Sequence, residues 1–237
     1  PVYFVSADGQ LTSAQEVFSL SKSDLYAFVL TNFYGSAYLG SKLIWQGISL
    51  DIGTTTTDII PICNGQIDPI GLKNPAQYLR FRYQNWRINW WGVGITQLCA
   101  LTDRVITPTQ SYQIIPNYTP TDVLFSLLEL NDPELMTHHA YFQRYPSTQE
   151  AAKAMAQFVG LDLFLLSQEE ILAIAQALYH KLLEKVMNCI QKVVDDVFNG
   201  QKEDLEVASF ALGETCLAQP ALLGLGFKEH QIKTLQL

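Results

Sequence analysis

The chain has 237 residues, of which 48% are hydrophobic and 16% are charged. This composition supports a folded core, and the length corresponds to one or two domains at ~150 residues per domain. Acidic residues outnumber basic ones, 23 against 15, for a net charge of −8. The acidic balance disfavours general binding to nucleic acid or to anionic membranes, because their phosphate groups would be repelled.

The cysteines and the apolar runs together predict a cytoplasmic protein. Cys63, Cys99, Cys189 and Cys216 are far apart and form no CxxC pair, so neither a disulfide framework nor a zinc site is expected. No apolar run reaches the ~18 residues of a membrane span, and no signal peptide is predicted. Residues 1–5, PVYFV, have the pattern of a strand interior, which predicts a fragment or a processed product.

Short elements are predicted in the first part of the chain. Residues 2–5 form an apolar run typical of a strand, and residues 13–16, SAQE, form a capping box that begins a short helix. A second helix is predicted over 24–34. Gly35 and Gly40 are expected to interrupt it, because a glycine inside a helix costs roughly 1 kcal/mol.

The clearest local pattern is an antiparallel unit around a threonine-rich turn. Gly53 and the threonines after it predict a tight turn between two buried strands. Asn64 and Gly65 predict a hairpin turn, because both tolerate positive φ. Pro61 lacks an N–H donor and should lie at an edge or a bulge. The predicted strands are 48–52, 59–62 and 66–70.

Helices dominate the predictions for the second half, after a segment that is hard to assign. Residues 79–83 alternate as a strand would, 106–120 predict a loop, and 131–147 predict an exposed connection. A capping box at 167–170 begins a long helix that should end at Gly200. The other predicted helices are 121–130, 149–158 and 215–223, with a buried strand at 205–212. The order of elements predicts an α/β fold.

The threonine-rich turn carries most of the predicted chemistry. Gly53 would let the backbone approach a ligand, and the N–H and hydroxyl groups of residues 54–56 could then hold an anion. Asp51 and Asp58 would repel a bare phosphate, but Mg²⁺ binds carboxylate and phosphate oxygens together. The alternative is a polar turn whose threonines hydrogen-bond one another. Spacing alone favours neither interpretation.

Residues 50–62, LDIGTTTTDIIPI, resemble the signature of the hydantoinase A/oxoprolinase family. They are most similar to its tetrahydromethanopterin-linked C1-transfer branch, which includes a methanofuran-biosynthesis enzyme that joins an aminomethylfuran phosphate to a glutamyl-tyramine. The family belongs to the actin-like ATPase superfamily, whose members have two ribonuclease-H-like domains. Weaker similarity follows in the expected order at 4–9, 32–33, 121–123 and 212–214.

This resemblance implies a domain plan and a set of site residues. Residues 1–47 would be a remnant of the first ribonuclease-H-like domain with a crossover helix, and 48–237 would be the second domain, with a mixed sheet and flanking helices. The implied catalytic residues are Asp51, Asp58 and Asp122, and Asp51 would also bind the metal. The implied cofactor-binding residues are Asn32, Gly53, Thr54, Thr55, Thr56, Thr57 and Gly213.

The implied function is a transferase of one-carbon cofactor biosynthesis that holds a phosphorylated small molecule on the 51–58 loop. Mg²⁺ is the expected cofactor, and use of ATP stays open. Three positions depart from the family pattern: Ile95 replaces an arginine, Gln97 a proline and Arg87 a glutamate. The family's first phosphate loop would lie before Pro1.

Two other functions remain open. One is a non-catalytic binding or assembly subunit, either a homo-oligomer or one whose partner completes the cleft. The other, favoured less, is an ATP-dependent amidohydrolase.

Aromatic and arginine residues interleave between residues 80 and 91. They indicate either a stacking surface for a flat ligand or single-stranded nucleic acid, or an edge strand over an aromatic core with solvated arginines. The net charge of −8 favours the second interpretation, although a flat furan or pterin-like ligand stays open. The residues concerned are Arg80, Phe81, Arg82, Tyr83, Trp86, Arg87, Trp90 and Trp91.

Overall fold

The computed structural model describes residues 1–7, 9–28, 31–68, 75–130, 147–210 and 212–234, with the backbone alone for 75–79. It contains one large mixed sheet, two smaller two-stranded sheets and several helices, which confirms the predicted α/β class. The strands are β1 (Tyr3–Val5), β2 (Leu11–Ser13), β3 (Gly47–Ile52), β4 (Thr57–Cys63), β5 (Gln66–Ile67), β6 (Ile88–Asn89), β7 (Arg104–Ile106), β8 (Ser111–Gln113), β9 (Glu206–Ser209) and β10 (Ile232–Thr234). The helices are α1 (Ala14–Ser19), α2 (Asn32–Leu43), α3 (Pro75–Gln84), α4 (Asp122–Leu127), α5 (Thr148–Phe158), α6 (Gln168–Phe198) and α7 (Gln219–Gly224).

The large sheet has the strand order β10-β9-β3-β4-β5, and β6 pairs with the other end of β4. β3, β4 and β5 form an antiparallel meander, whereas β9 and β10 run parallel to β3. The chain reaches β9 only after the helices α4, α5 and α6. Because β3 and β9 are parallel neighbours, the loops after their carboxyl ends lie at the same edge of the sheet.

Helices cover both faces of this sheet. On one face α2 packs Phe33 and Ala37 against Ile60 of β4. On the other face α6 lies over β4, and the main core joins the inward residues of β3 to the apolar side of α6. The sheet is therefore buried on both faces, which explains why β3 and β4 are apolar runs broken only by a few polar residues.

In the first part of the chain, local sequence signals predict most element boundaries, but two of these predictions are wrong. The capping box at Ser13 is present, and the hairpin turn at Asn64 and Gly65 has φ of 55° and 67°. The predicted helix over 24–34 is wrong, because 24–28 forms a short 3-10 helix and α2 is a separate helix. Gly35 and Gly40 lie inside α2 and do not end it.

Pro61 lies in β4, a strand with neighbours on both sides. Its position falls between the two residues of β4 that pair with β6 and the two that pair with β5. Neither β5 nor β6 pairs with Pro61, so no N–H donor is needed on that side of β4. The third predicted strand is shorter than expected and ends at Ile67, and residues 69–70 lie outside the described residues.

The predicted strand over 79–83 is wrong, because these residues belong to helix α3. The prediction of solvated arginines fails with it. Arg82 and Arg87 are 0% and 6% exposed, and only Arg80 is exposed. The helix directs Arg82 beneath α2, where its guanidinium carbon lies 3.6 Å from the ring centroid of Phe33. A tertiary contact therefore decides a segment whose local alternation is ambiguous.

The C-terminal helices agree closely with their sequence signals. The capping box at Ser167 begins α6, and Asn199 ends it with φ of 54° just before Gly200. Residues 214–218 form a π-helical turn before α7, and the final strand β10 was not predicted. The predicted loop at 106–120 contains β8, and most of the predicted connection, 131–146, lies outside the described residues.

Two further points concern the predicted organisation. α2 packs on β3 and β4, and the Trp45 carbonyl accepts a hydrogen bond from the Gly65 N–H. The parts of the chain before and after residue 47 are thus in contact with each other. The domain boundary at residue 47 stays a prediction. Within the described ranges, no helix combines the length and the apolar character that crossing a membrane requires.

Candidate functional site

The turn between β3 and β4, residues 53–56, is the threonine turn of this article. Its Gly53 N–H donates to the Thr56 carbonyl at 2.8 Å. The carbonyls of Gly53 and Thr54 accept hydrogen bonds from the N–H groups of residues 93–95, at 2.9 to 3.1 Å. In a trans peptide the N–H points opposite to the carbonyl. The N–H groups of Thr54 and Thr55 therefore both point away from residues 93–95.

These N–H groups are available for an anion. Within the described part of the chain, the backbone N–H groups of Thr54, Thr55 and Thr56 donate to no acceptor. All three side chains are half-buried, and the hydroxyls of Thr54 and Thr55 are 3.5 Å apart. Successive N–H groups in a turn form an anion-binding concavity. The threonine hydroxyls can therefore pair with each other, as in a polar turn, while the N–H groups stay free to bind an anion.

Thr57 has a structural role. It is 1% exposed, it pairs with Asn89 of β6, and its hydroxyl donates to the Trp91 carbonyl. The Thr57 hydroxyl thus binds the segment 90–96, which covers the threonine turn, and Thr57 is not placed to contact a ligand. The predicted cofactor-binding role of Thr57 finds no support in this geometry.

The segment at 90–96 covers the turn, and glycine is needed there. A Cβ at Gly92 would lie 2.6 Å from the carbonyl carbon and oxygen of Thr54. The Gly92 N–H donates to the Thr96 hydroxyl at 2.7 Å, and the Thr121 hydroxyl donates to the Gly92 carbonyl at 3.0 Å. Gly92 therefore joins the threonine turn to the start of α4. The pair of glycines at 92 and 94 is the sequence signal for this contact.

Asp51 and Asp58 face each other across the β3–β4 ladder. Asp58 is 4% exposed and forms an ion pair with the guanidinium of Arg82, which is fully buried. Burial raises the pKa of Asp58 to about 6; Arg82 opposes this shift and the neighbouring Asp51 adds to it. The Asp58 carboxylate is thus committed to Arg82, which explains why a charged residue is tolerated beneath α2.

Asp51 is the more accessible of the two carboxylates. It is half-buried, and burial raises its pKa while a hydrogen bond with Ser36 of α2 lowers it. A Mg²⁺ ion needs only one or two protein carboxylates when phosphate and water complete its shell. Asp51 fits such a role and Asp58 does not. The described residues include no cluster of three or more His, Cys, Asp or Glu side chains suited to a metal ion.

The other predicted residues lie at different distances from the turn. A Cβ at Gly213 would lie 2.3 Å from Val93, and the Leu212 N–H donates to the Ile52 carbonyl, so Gly213 shares the sheet edge of the threonine turn. Asp122 is 2% exposed at the first turn of α4. Its neighbour Thr121 donates to the carbonyl of Gly92, which lies against the threonine turn. Asn32 is the exposed first residue of α2.

Next to the threonine turn lies a pocket of about 570 Å³ with aromatic walls, which we call the aromatic pocket. Thr55 forms the border that it shares with the turn. We expected its aromatic side chains in the core, but Tyr83, Trp86 and Trp90 are 61%, 39% and 53% exposed. Its lining residues are Thr55, Tyr83, Gln84, Trp86, Ile88, Asn89, Trp90, Trp91, Ile95, Thr96, Gln97 and Ala100.

Comparison with models of known protein families gives no match, and a search of curated proteins gives no matching sequence. The resemblance of residues 50–62 therefore stays a prediction. Function has to be argued from the site itself.

Proposed function

We propose that this chain is a ribonuclease-H-like domain of the actin-like ATPase superfamily that binds a phosphorylated small molecule on the threonine turn. Three antiparallel strands followed by two strands parallel to the first, in the order β10-β9-β3-β4-β5, support the fold. Helical segments lie between the antiparallel and parallel parts, as such a fold requires. The resemblance at residues 50–62 supports the finer assignment to the hydantoinase A/oxoprolinase family.

The observation that carries the ligand assignment is the pair of N–H groups at Thr54 and Thr55. Residues 93–95 hold the carbonyls of the turn on one side, so both N–H groups point to the other. A phosphate oxygen accepts from such groups at low reorganisation cost, since the turn is already fixed. The half-buried hydroxyls of Thr54 and Thr55, which pair with each other, leave one further O–H donor for the ligand.

The net charge of the site decides which form of phosphate binds. Asp58 is neutralised by Arg82, which leaves Asp51 as the carboxylate closest in sequence to the turn. Asp51 repels a bare phosphate and attracts a phosphate that carries Mg²⁺. When bound, Mg²⁺ would supply charge neutralisation of the phosphate oxygens. Within this proposal the chemistry is a transfer of an activated small molecule, as in one-carbon cofactor biosynthesis.

Binding of ethyl phosphate and of inorganic pyrophosphate, with and without Mg²⁺, tests this proposal by calorimetry. Thr55→Val should weaken binding at least tenfold, because it removes a donor hydroxyl with little change of shape. Asp51→Asn should weaken binding only when Mg²⁺ is present. Thr109→Val is the control, since the hydroxyl of Thr109, an exposed residue of the β7–β8 turn, also lies 3.3 Å from that of another threonine, Thr107. Equal affinity in all of these variants would overturn the assignment.

A second candidate function, a non-catalytic assembly subunit, is favoured by a different observation. Large apolar side chains of the β1–β2 ribbon and the elements after it are exposed, with Leu11 at 73%, Phe18 at 80% and Tyr26 at 54%. Exposed apolar patches of this kind mark interaction surfaces. Light scattering of the wild type and of a Leu11→Ser, Phe18→Ser variant tests it. A complex that dissociates in the variant supports assembly, and a wild type that is monomeric at every concentration argues against self-assembly.

A further inference from the structure

The aromatic pocket has the size and wall chemistry of a small-molecule site. Ligand sites are typically clefts of ~300–1,000 Å³ with apolar walls and a few polar groups, and this pocket has a volume of about 570 Å³. Its polar lining residues are threonines, amides and Tyr83, and none of the described residues that line it is Asp, Glu, Lys or Arg. A cationic group inside the pocket would therefore lose hydration without gaining a carboxylate partner from these residues.

Two lysines contact the indole rings of the aromatic wall. The Nζ of Lys192 lies 3.3 Å from the centroid of the Trp86 ring, and the Nζ of Lys185 lies 5.6 Å from that of Trp91. Both lysines project from α6. Their positive charges polarise the indole rings and lie beside the pocket. This charge repels a cationic ligand, whereas a neutral ring is not repelled.

Trp86 is held in a conformation that a bulky residue rarely adopts. Its φ is 60°, in the left-handed region, at the carboxyl end of α3. The Arg87 N–H donates to the Arg82 carbonyl across this position, as in helix ends that usually carry glycine. Glycine or asparagine would fit this backbone with less strain. The indole at 86 is thus present at a conformational cost, which points to a role for the ring.

We propose that the aromatic pocket binds a neutral planar aromatic ring, stacked on the exposed indoles of Trp86 and Trp90. Because Thr55 borders both the pocket and the threonine turn, the ring would belong to the same ligand as the phosphate. In that respect alone the inference rests on the proposed function. The ring subsite itself rests on the aromatic walls, the strain at Trp86 and the uncharged character of the described lining residues.

The ring subsite is tested with indazole, a neutral planar bicycle without phosphate, by calorimetry and ligand-observed saturation-transfer NMR. Trp90→Ala and Trp86→Gly should each weaken indazole binding at least tenfold. Trp45→Ala is the matched control, because Trp45 is 66% exposed and is not among the lining residues. Benzamidine, a planar cation, should bind at least tenfold more weakly than indazole. Thermal unfolding of each variant establishes that it is folded.

Three results would overturn the inference: indazole binding that is unchanged in both pocket variants, tighter binding of benzamidine, or Trp90-dependent binding of oligothymidylate in place of indazole. The last result would assign the indoles to single-stranded nucleic acid. Failure of indazole to bind at all would also overturn the ring subsite, but because indazole lacks phosphate it would leave the threonine-turn proposal intact. Failure of ethyl phosphate with retained indazole binding would remove the phosphate site and leave the ring subsite.

Discussion

Substitution of Gly92 by alanine probes the contact on which the threonine turn depends. The added Cβ would lie 2.6 Å from three atoms of the turn, which are the carbonyl carbon and oxygen of Thr54 and the carbonyl carbon of Thr55. Ordinary contacts begin at 3.4 Å, so the two backbone segments must separate by roughly 0.8 Å. Neither segment is a flexible side chain, and over-packing of this kind costs about 1–3 kcal/mol.

The shift should also disturb hydrogen bonds that pass through the segment. The Gly92 N–H donates to Thr96 and its carbonyl accepts from Thr121. We therefore expect the free energy of unfolding of Gly92→Ala to fall by about 2–3 kcal/mol, at the upper end of the over-packing range. Urea denaturation followed by tryptophan fluorescence measures it, with the midpoint lowered and the slope unchanged.

Gly35→Ala is the matched control for this experiment. Gly35 lies inside α2, and a Cβ there would meet no atom of the described residues within 4 Å. Alanine is the better helix residue, so this variant should be more stable than the wild type by about 0.5–1 kcal/mol. The reasoning fails if Gly92→Ala unfolds at the same urea concentration as Gly35→Ala, because the turn would then not lie against Gly92.

Three further predictions concern buried charge and helix capping. Arg82→Met should lower the free energy of unfolding by about 3–5 kcal/mol, because it leaves the Asp58 carboxylate buried without its partner. The double variant Arg82→Met, Asp58→Asn should recover stability. A double variant that is no more stable than Arg82→Met would contradict the pairing. With the pKa of Asp58 raised from 3.8 to about 6, the folded state holds a proton that the unfolded state has lost between these pH values. Stability should therefore fall by ~3 kcal/mol as pH rises through this window, and a titration of Asp58→Asn by urea denaturation should lack that contribution. Ser167→Ala should cost about 1 kcal/mol in a thermal melt, and no change would argue against the capping box.

Elements that are specified by local signals could be predicted from the sequence. The turn at Asn64 and Gly65 requires positive φ, which those two residues tolerate, and the capping box at Ser167 satisfies the free N–H groups at the start of α6. Continuous apolar runs predicted β3 and β4. In each case the information lies within a few residues of the element.

Elements that depend on tertiary contacts could not be predicted. Arginine and aromatic residues alternate near Arg82, and this pattern suggested a strand. The segment is a helix in the folded chain, where Arg82 meets Asp58 from β4 and Phe33 from α2. The short strands β6 and β10 have only two and three residues, so they carry no periodic signal and exist only through pairing with β4 and β9.

The candidate site shows the same division. The threonine turn could be predicted because its glycine, threonines and flanking carboxylates are contiguous. The aromatic pocket could not, because the sequence does not distinguish a tryptophan in the core from Trp90, which is 53% exposed. Gly92 acts through a contact with Thr54, which is far away along the chain.

The central claim is that the threonine turn binds phosphate through its backbone. A titration of ¹⁵N-labelled protein with inorganic phosphate, in the presence of Mg²⁺, tests this claim most directly. The account predicts saturable shifts of the amide resonances of Thr54 and Thr55 to lower field, larger than those of Thr107 and Thr109 in the β7–β8 turn. Resonances at 54 and 55 that stay unchanged while phosphate reaches tens of millimolar, a range in which even weak ~1 mM sites saturate, would contradict it.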